Sequence, residues 1–266
     1  MIHYDMIHGD KFDMRYVVFG EGEKDLLILP GVSVLHVTEM GEAVARRYDA
    51  LRADYRICLF DRIEEIPAGY SVEDMADDTA DALRILGVKR TAVFGASQGG
   101  MVALALAIRH PEMVERMILA STSAKCRQNP SLEEVFAVWK KLSEEGDSAA
   151  LYDSFLERVY SAPVAELLRK GTAPVYSEGD LRRFIGQLEA FWTVDLRDRL
   201  GDVKAPALLL AAEGDRVFGM PDYEVLKQDL KCESFCYGPE YGHGVYDEAP
   251  DFIGRMQAFL EARASR

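Results

Sequence analysis

The sequence predicts an α/β fold: a mostly parallel central sheet with helices on both faces, interrupted by an inserted helical segment. Three observations carry this. Over residues 1–124, apolar runs of strand length alternate with amphipathic helix stripes, the pattern of a parallel sheet covered on both sides. Residues 125–200 then show helical periodicity with almost no strand signal. Strand character returns at 205–212, so residues 1–124 and 201–266 form one core around an insertion of domain size.

Residues 16–19 and 26–29 are apolar runs bounded by Gly or Pro and read as strands. Met40, Val44, Tyr48 and Leu51 recur at helical spacing and mark the first helix. Residues 56–60 read as a buried strand ending at Asp61, and the charged stretch 61–67 as a solvated loop. Ser71 followed by Asp74 resembles a capping box. It opens a helix with the stripe Met75, Thr79, Leu83 and Leu86, and Gly87 as its stop. A strand at 91–94, a small-residue helix at 99–109 and a strand at 117–120 complete the first part.

Inside the insertion, Leu132, Val135, Phe136, Trp139 and Leu142 line one amphipathic helix. Leu181, Phe184, Ile185, Leu188, Phe191 and Trp192 line another, with shorter helices at 151–159 and 164–168 between them. A strand at 233–237 follows, and Phe252, Ile253, Met256, Phe259 and Leu260 give the last helix its buried face. Asp247 and Glu248 are expected at the N-terminus of that helix, where carboxylates offset its dipole.

Composition narrows the partners. The 266 residues carry 31 Lys and Arg against 45 Asp and Glu, a net charge of −14. Such a surface repels nucleic-acid phosphates and anionic membranes, so neither is expected as a partner. No apolar stretch approaches the roughly 20 residues of a membrane span. The first ten residues lack an apolar signal core, and charge begins at Asp5. Cys58, Cys126, Cys232 and Cys236 are too sparse for a disulfide scaffold, and no further ligand pair accompanies the last two. The expectation is a cytoplasmic protein with reduced thiols and no metal.

The chemistry concentrates at residues 91–100, which contain G-x-S-x-G as Gly95, Ser97 and Gly99. The motif falls between an apolar strand and a helix of small residues, the context of a nucleophile elbow. A serine hydroxyl needs a base, and the base an orienting acid. Of five histidines, His243 stands in a glycine-flanked loop just before the last helix; His3, His8 and His110 read as surface residues. Asp215 ends the Glu-Gly-Asp turn after the strand at 205–212, where open α/β sheets place their sites. Glu213, two residues earlier, is its nearest competitor. The chain order Ser97, Asp215, His243 is nucleophile, acid, base.

With these residues in place, the sequence resembles the α/β-hydrolase superfamily over nearly its full length. The segments 69–78, 95–103, 110–114 and 242–250 carry the likeness to its small cap-bearing serine hydrolases. The resemblance implies that 125–200 is a helical cap and that backbone N–H groups of Val32 and Gln98 form the oxyanion hole. The chain departs from the family in having Pro30-Gly31 where His-Gly is common after the third strand. It also retains only Gly69-Tyr-Ser71 of a compact Gly-x-Gly-x-Ser stretch. A serine at the elbow argues against the dehalogenase and epoxide-hydrolase branches.

The expected activity is hydrolysis of a small, mostly apolar ester, thioester or lactone through an acyl-enzyme on Ser97, without a cofactor. His36, Phe136, Trp139 and Trp192 are the candidate pocket residues, drawn from a cap that also offers Tyr152, Phe155, Phe184 and Phe191. The same triad would serve an acyltransferase or a carbon–carbon bond hydrolase, and the same scaffold a ligand receptor without turnover.

Overall fold

The apolar runs become strands of a single sheet in the computed structural model, which describes residues 1–127 and 129–262. The chain begins β1 (His3–His8), β2 (Asp13–Phe19), β3 (Lys24–Leu29), α1 (Gly41–Arg47), β4 (Tyr55–Ile63) and α2 (Val72–Ile85). It continues β5 (Thr91–Ala96), α3 (Gln98–Arg109) and β6 (Val114–Ala120). Four helices follow without a strand: α4 (Pro130–Glu145), α5 (Ser148–Val159), α6 (Ala162–Leu168) and α7 (Glu178–Trp192). The core closes with β7 (Ala207–Ala212), α8 (Met220–Leu230), β8 (Glu233–Tyr237), α9 (Val245–Glu248) and α10 (Phe252–Glu261).

The strand order is β1-β2-β4-β3-β5-β6-β7-β8. β1 and β2 are antiparallel because a four-residue turn, closed by Gly9 N–H to the Phe12 carbonyl at 2.8 Å, can only reverse the chain. β2 also runs antiparallel to β4, and every pairing from β4 to β8 is parallel. β3 lies between β4 and β5, so the winding changes direction there. The carboxyl ends of β3 and β5 therefore open onto one crevice.

Strand alternation divides the core into two layers. Phe94 of β5 packs with Ala45 of α1, Tyr48 and Phe252 of α10, while its neighbour Val93 joins Leu83 of α2 and Met101 of α3 on the other face. Between β6 and β7 the chain leaves the sheet and returns through a narrow neck. Lys125 and Asp195 form an isolated antiparallel bridge, and their side chains pair at 3.0 Å. Leu196 N–H donates to the Ala124 carbonyl at 2.8 Å. The helices α4–α7 thus fold as an excursion whose two ends meet.

Three expectations need correction. Asp61 and Arg62 are not in a solvated loop: they belong to β4 and are only 3% and 5% exposed. Asp61 pairs with Arg183 and His36, and Arg62 donates hydrogen bonds to the Gln98 amide oxygen and the Pro30 carbonyl, as described below. Met40 is exposed, because the helix at this point is broken into α1 and two flanking 3-10 turns. Asp247 and Glu248 lie in α9, not at the start of the last helix, and face the end of α5. The Tyr160 hydroxyl donates to Asp247 at 3.4 Å and Ser161 N–H to Glu248 at 2.9 Å.

Candidate active site

Ser97 occupies the turn from β5 into α3 with φ 53° and ψ −122°, a strained conformation for a residue with a Cβ. Its backbone is pinned on both sides. Ser97 N–H donates to the Ala120 carbonyl at 2.9 Å, and its own carbonyl accepts from Gly100 N–H and from the Thr122 hydroxyl at 2.7 Å. The glycines of the motif answer to contact: a Cβ on Gly95 would overlap the Gly99 carbonyl, and one on Gly99 the Leu29 carbonyl. Only hydrogen at these positions lets the helix start this close to β3.

Asp215 follows β7 with its side chain 4% exposed. One carboxylate oxygen accepts Val217 N–H at 2.7 Å and Phe218 N–H at 3.1 Å; the other meets His243 Nδ1 at 2.9 Å. Burial alone would raise this carboxyl, but the His243 ring and the two N–H donors outweigh it and hold it below its ordinary value. An ionised carboxylate only accepts, so Nδ1 carries the proton and Nε2 is left free to take one. The His243 loop is seated on the end of α5, with Gly244 N–H donating to the Val159 carbonyl at 2.7 Å.

Ser97 and His243 border one cleft, together with Gly31, Val32 and Gln98. Among the described residues Ser97 Oγ makes no hydrogen bond to the imidazole; contacts of this kind commonly tighten only with substrate in place. The backbone N–H groups of Val32 and Gln98 donate to no protein acceptor among the described residues, and that of Gln98 opens helix α3. Two free donors beside a serine at a helix N-terminus can receive a developing oxyanion. The Pro30-Gly31 loop therefore still brings Val32 to the cleft.

The cleft holds about 410 Å³ of empty space, part of it open to solvent. The helical segment supplies Leu132, Trp139, Phe155, Val159 and Phe191 to its wall. Of the four candidate pocket residues, only Trp139 lines it. Phe136 and Trp192 stack on each other at 4.6 Å, and His36 pairs through Nδ1 with Asp61 at 3.1 Å. Phe191 shares the stripe with Trp192, but the helix turns it inward. Val217, Phe218 and Tyr246 also line the cleft. Their signal in the sequence is their position within three residues of Asp215 or His243. No group of three or more His, Cys, Asp or Glu side chains among the described residues could hold a metal ion.

A model of the alpha/beta hydrolase fold matches residues 29–250. The chain belongs to this family. Curated relatives include "Putative carbamate hydrolase RutD" of Stutzerimonas stutzeri, 27% identical over 177 residues, 62% of this chain. That match spans 66% of the relative's length, just under two thirds. The protein of the same name from Variovorax paradoxus is 28% identical over 229 residues, 78% of this chain and 85% of its own length.

Among solved structures, MGS-M2, an alpha/beta hydrolase from a Medee basin deep-sea metagenome library, superposes with a TM-score of 0.87 at 20% identity. That match covers 98% of this chain and 99% of the other. The enol-lactonase from Burkholderia xenovorans LB400 superposes with a TM-score of 0.80 at 22% identity, covering 97% and 100%. At these identities both speak for the fold. No helix among the described residues is long and apolar enough to cross a membrane.

Proposed function

We propose that this member of the family is a serine hydrolase that cleaves small carboxylic esters, thioesters or lactones with an apolar acyl part. The observation that carries the reading is His243, paired with the buried Asp215 and bordering the same cleft as the strained Ser97. In this mechanism Ser97 Oγ attacks the carbonyl carbon and His243 Nε2 takes its proton. Asp215 keeps the ring oriented and stabilises the imidazolium. The oxyanion accepts hydrogen bonds from Val32 and Gln98 N–H. His243 then protonates the leaving group, and a water activated by the same ring releases the acid.

The RutD relatives are named for carbamates, whose carbonyl would meet the same groups. The aromatic and aliphatic wall favours an apolar acyl chain over a small polar carbamate. The proposed partner is the small-molecule substrate, with neither nucleic acid nor membrane expected, and four free thiols suit a reducing cytoplasm. A panel of p-nitrophenyl acetate, butyrate and hexanoate, a γ-lactone, a short thioester and a p-nitrophenyl carbamate tests this. The short acyl esters should turn over fastest. Turnover of the carbamate alone, or of none of the panel by folded protein, contradicts it.

A further inference from the structure

The residues flanking Val32 are held by buried side chains from distant parts of the chain. Arg62 at the end of β4 donates through Nη2 to the Pro30 carbonyl at 2.6 Å and through Nε to Gln98 Oε1 at 2.9 Å. Gln98 Nε2 donates in turn to the Gln187 carbonyl at 2.7 Å. The Gln187 side chain grips Ser33 at two points: Oε1 accepts Ser33 N–H at 3.1 Å, and Nε2 donates to the Ser33 carbonyl at 2.9 Å. One turn earlier on α7, Arg183 donates to the Val34 carbonyl at 3.2 Å and pairs with Asp61 at 3.1 Å.

These bonds form a ring around Val32. Residue 30 is held by Arg62, residue 33 by Gln187, and both holders are tied to Gln98, whose own N–H is the second proposed oxyanion donor. Gln187 and Gln98 are each 1% exposed, so the bonds between Arg62, Gln98 and Gln187 lie away from water, while those to Pro30 and Ser33 sit at the half-buried rim of the loop. The geometry points to Gln187 as a positioning residue for the oxyanion site, acting from the helical segment on a loop of the core. This inference rests on the proposed serine-hydrolase reading. Helix α7 thereby does more than cover the cleft: its side chain sets the direction in which Val32 N–H points. The Pro30-Gly31 loop, lacking the family's common histidine, is kept in shape by these distant side chains together with its own Ser33 hydroxyl, which donates to the Leu35 carbonyl at 2.7 Å.

The test uses Gln187→Met, which keeps the volume and removes both bonds, and Gln187→Glu, which keeps the acceptor. With a short ester, Gln187→Met should lower kcat about 10- to 100-fold at nearly unchanged KM, somewhat less than deleting an oxyanion donor outright. Amide hydrogen exchange over residues 31–36 should quicken in parallel. Gln187→Glu supplies a pH signature. A protonated carboxyl both accepts from Ser33 N–H and donates to the Ser33 carbonyl, whereas the ionised form has lost the donor. Its kcat relative to the parent should therefore be near one at acidic pH and fall as pH rises. Unchanged kcat and unchanged exchange in Gln187→Met overturn the inference. So does a lowered melting temperature with an unaltered kcat per folded molecule and no local gain in exchange. If the parent hydrolyses no ester yet exchange at 31–36 still rises in Gln187→Met, the loop clamp stands and the hydrolase reading falls.

Discussion

The elbow around Ser97 and the helices α4–α7 meet across the same cleft but are held in place by different physics. At the elbow, backbone hydrogen bonds and glycine contacts leave one conformation, with each partner either local or on an adjacent strand. The helical segment touches the site through large apolar side chains, and is fastened to the core by a few long-range polar ones such as Gln187 and Arg183. A rigid scaffold thus places the reacting groups, and a separate layer shapes what can approach them. Damage to the first should abolish chemistry or folding; damage to the second should change rates and preferences by degrees.

The largest expected effect is at the nucleophile. Ser97→Ala should lower kcat/KM on the best ester by a factor of about 10³ or more while leaving the thermal melt nearly unchanged. Steady-state kinetics beside circular dichroism would check both parts. Next comes Gly99→Ala, whose added Cβ collides with the Leu29 carbonyl, a backbone atom that cannot step aside. A loss of about 3 kcal/mol in urea unfolding is expected, at the upper end of overpacking costs.

At the seam between the regions, the Asp247 carboxyl is pushed up to about 6 by burial, against the pull of Arg47 and the Tyr160 hydroxyl, with Glu248 adding to the rise. The unfolded chain ionises this group near 3.8. Between those values the folded state holds the proton more tightly, so stability contributed here is complete below about pH 4 and lost as pH rises through 6. Asp247→Asn should therefore gain roughly 1–3 kcal/mol over the parent at pH 8, with the gain closing below pH 4. Urea melts at the two pH values measure it.

The smallest effect belongs to the helical wall. Phe155 lies half-buried on the cleft and stacks on Trp139 at 4.9 Å. Phe155→Leu opens space without touching Ser97 or His243. The ratio of kcat/KM for hexanoate over acetate should rise about tenfold, a discrimination typical of one or two methylenes. A loss of all activity in this variant would blur the contrast between the two layers.

The core was largely legible because its signals are local. The Ser71 and Asp74 side chains do cap α2 reciprocally, Gly87 ends it with φ 72°, and β5 followed by α3 matches the strand–Gly–helix pattern around the serine. Helix α8 leaves no signal in the sequence, because its only buried residues, Tyr223 and Leu226, make no stripe. Buried charge was the other blind spot. Asp61 and Arg62 look like surface residues until Arg183, His36 and Gln98 come to them from 25 to 122 positions away. The pocket was half legible for the same reason: periodicity named the aromatics of α4 and α7, but packing decided that Trp139 and Phe191 face the cleft and that Phe136 and Trp192 pair elsewhere. A polar pair at i and i+4, Arg183 and Gln187, flanking an apolar stripe was the one cue to the loop clamp.

The most direct test of the account is reaction with a fluorophosphonate, followed by intact mass and peptide mapping, with Ser97→Ala alongside. A nucleophile activated by His243 and supported by two oxyanion donors should take up one adduct, on Ser97, and the variant none. A folded parent that stays unlabelled, or carries its adduct on another residue, would contradict the assignment of Ser97 as the activated serine.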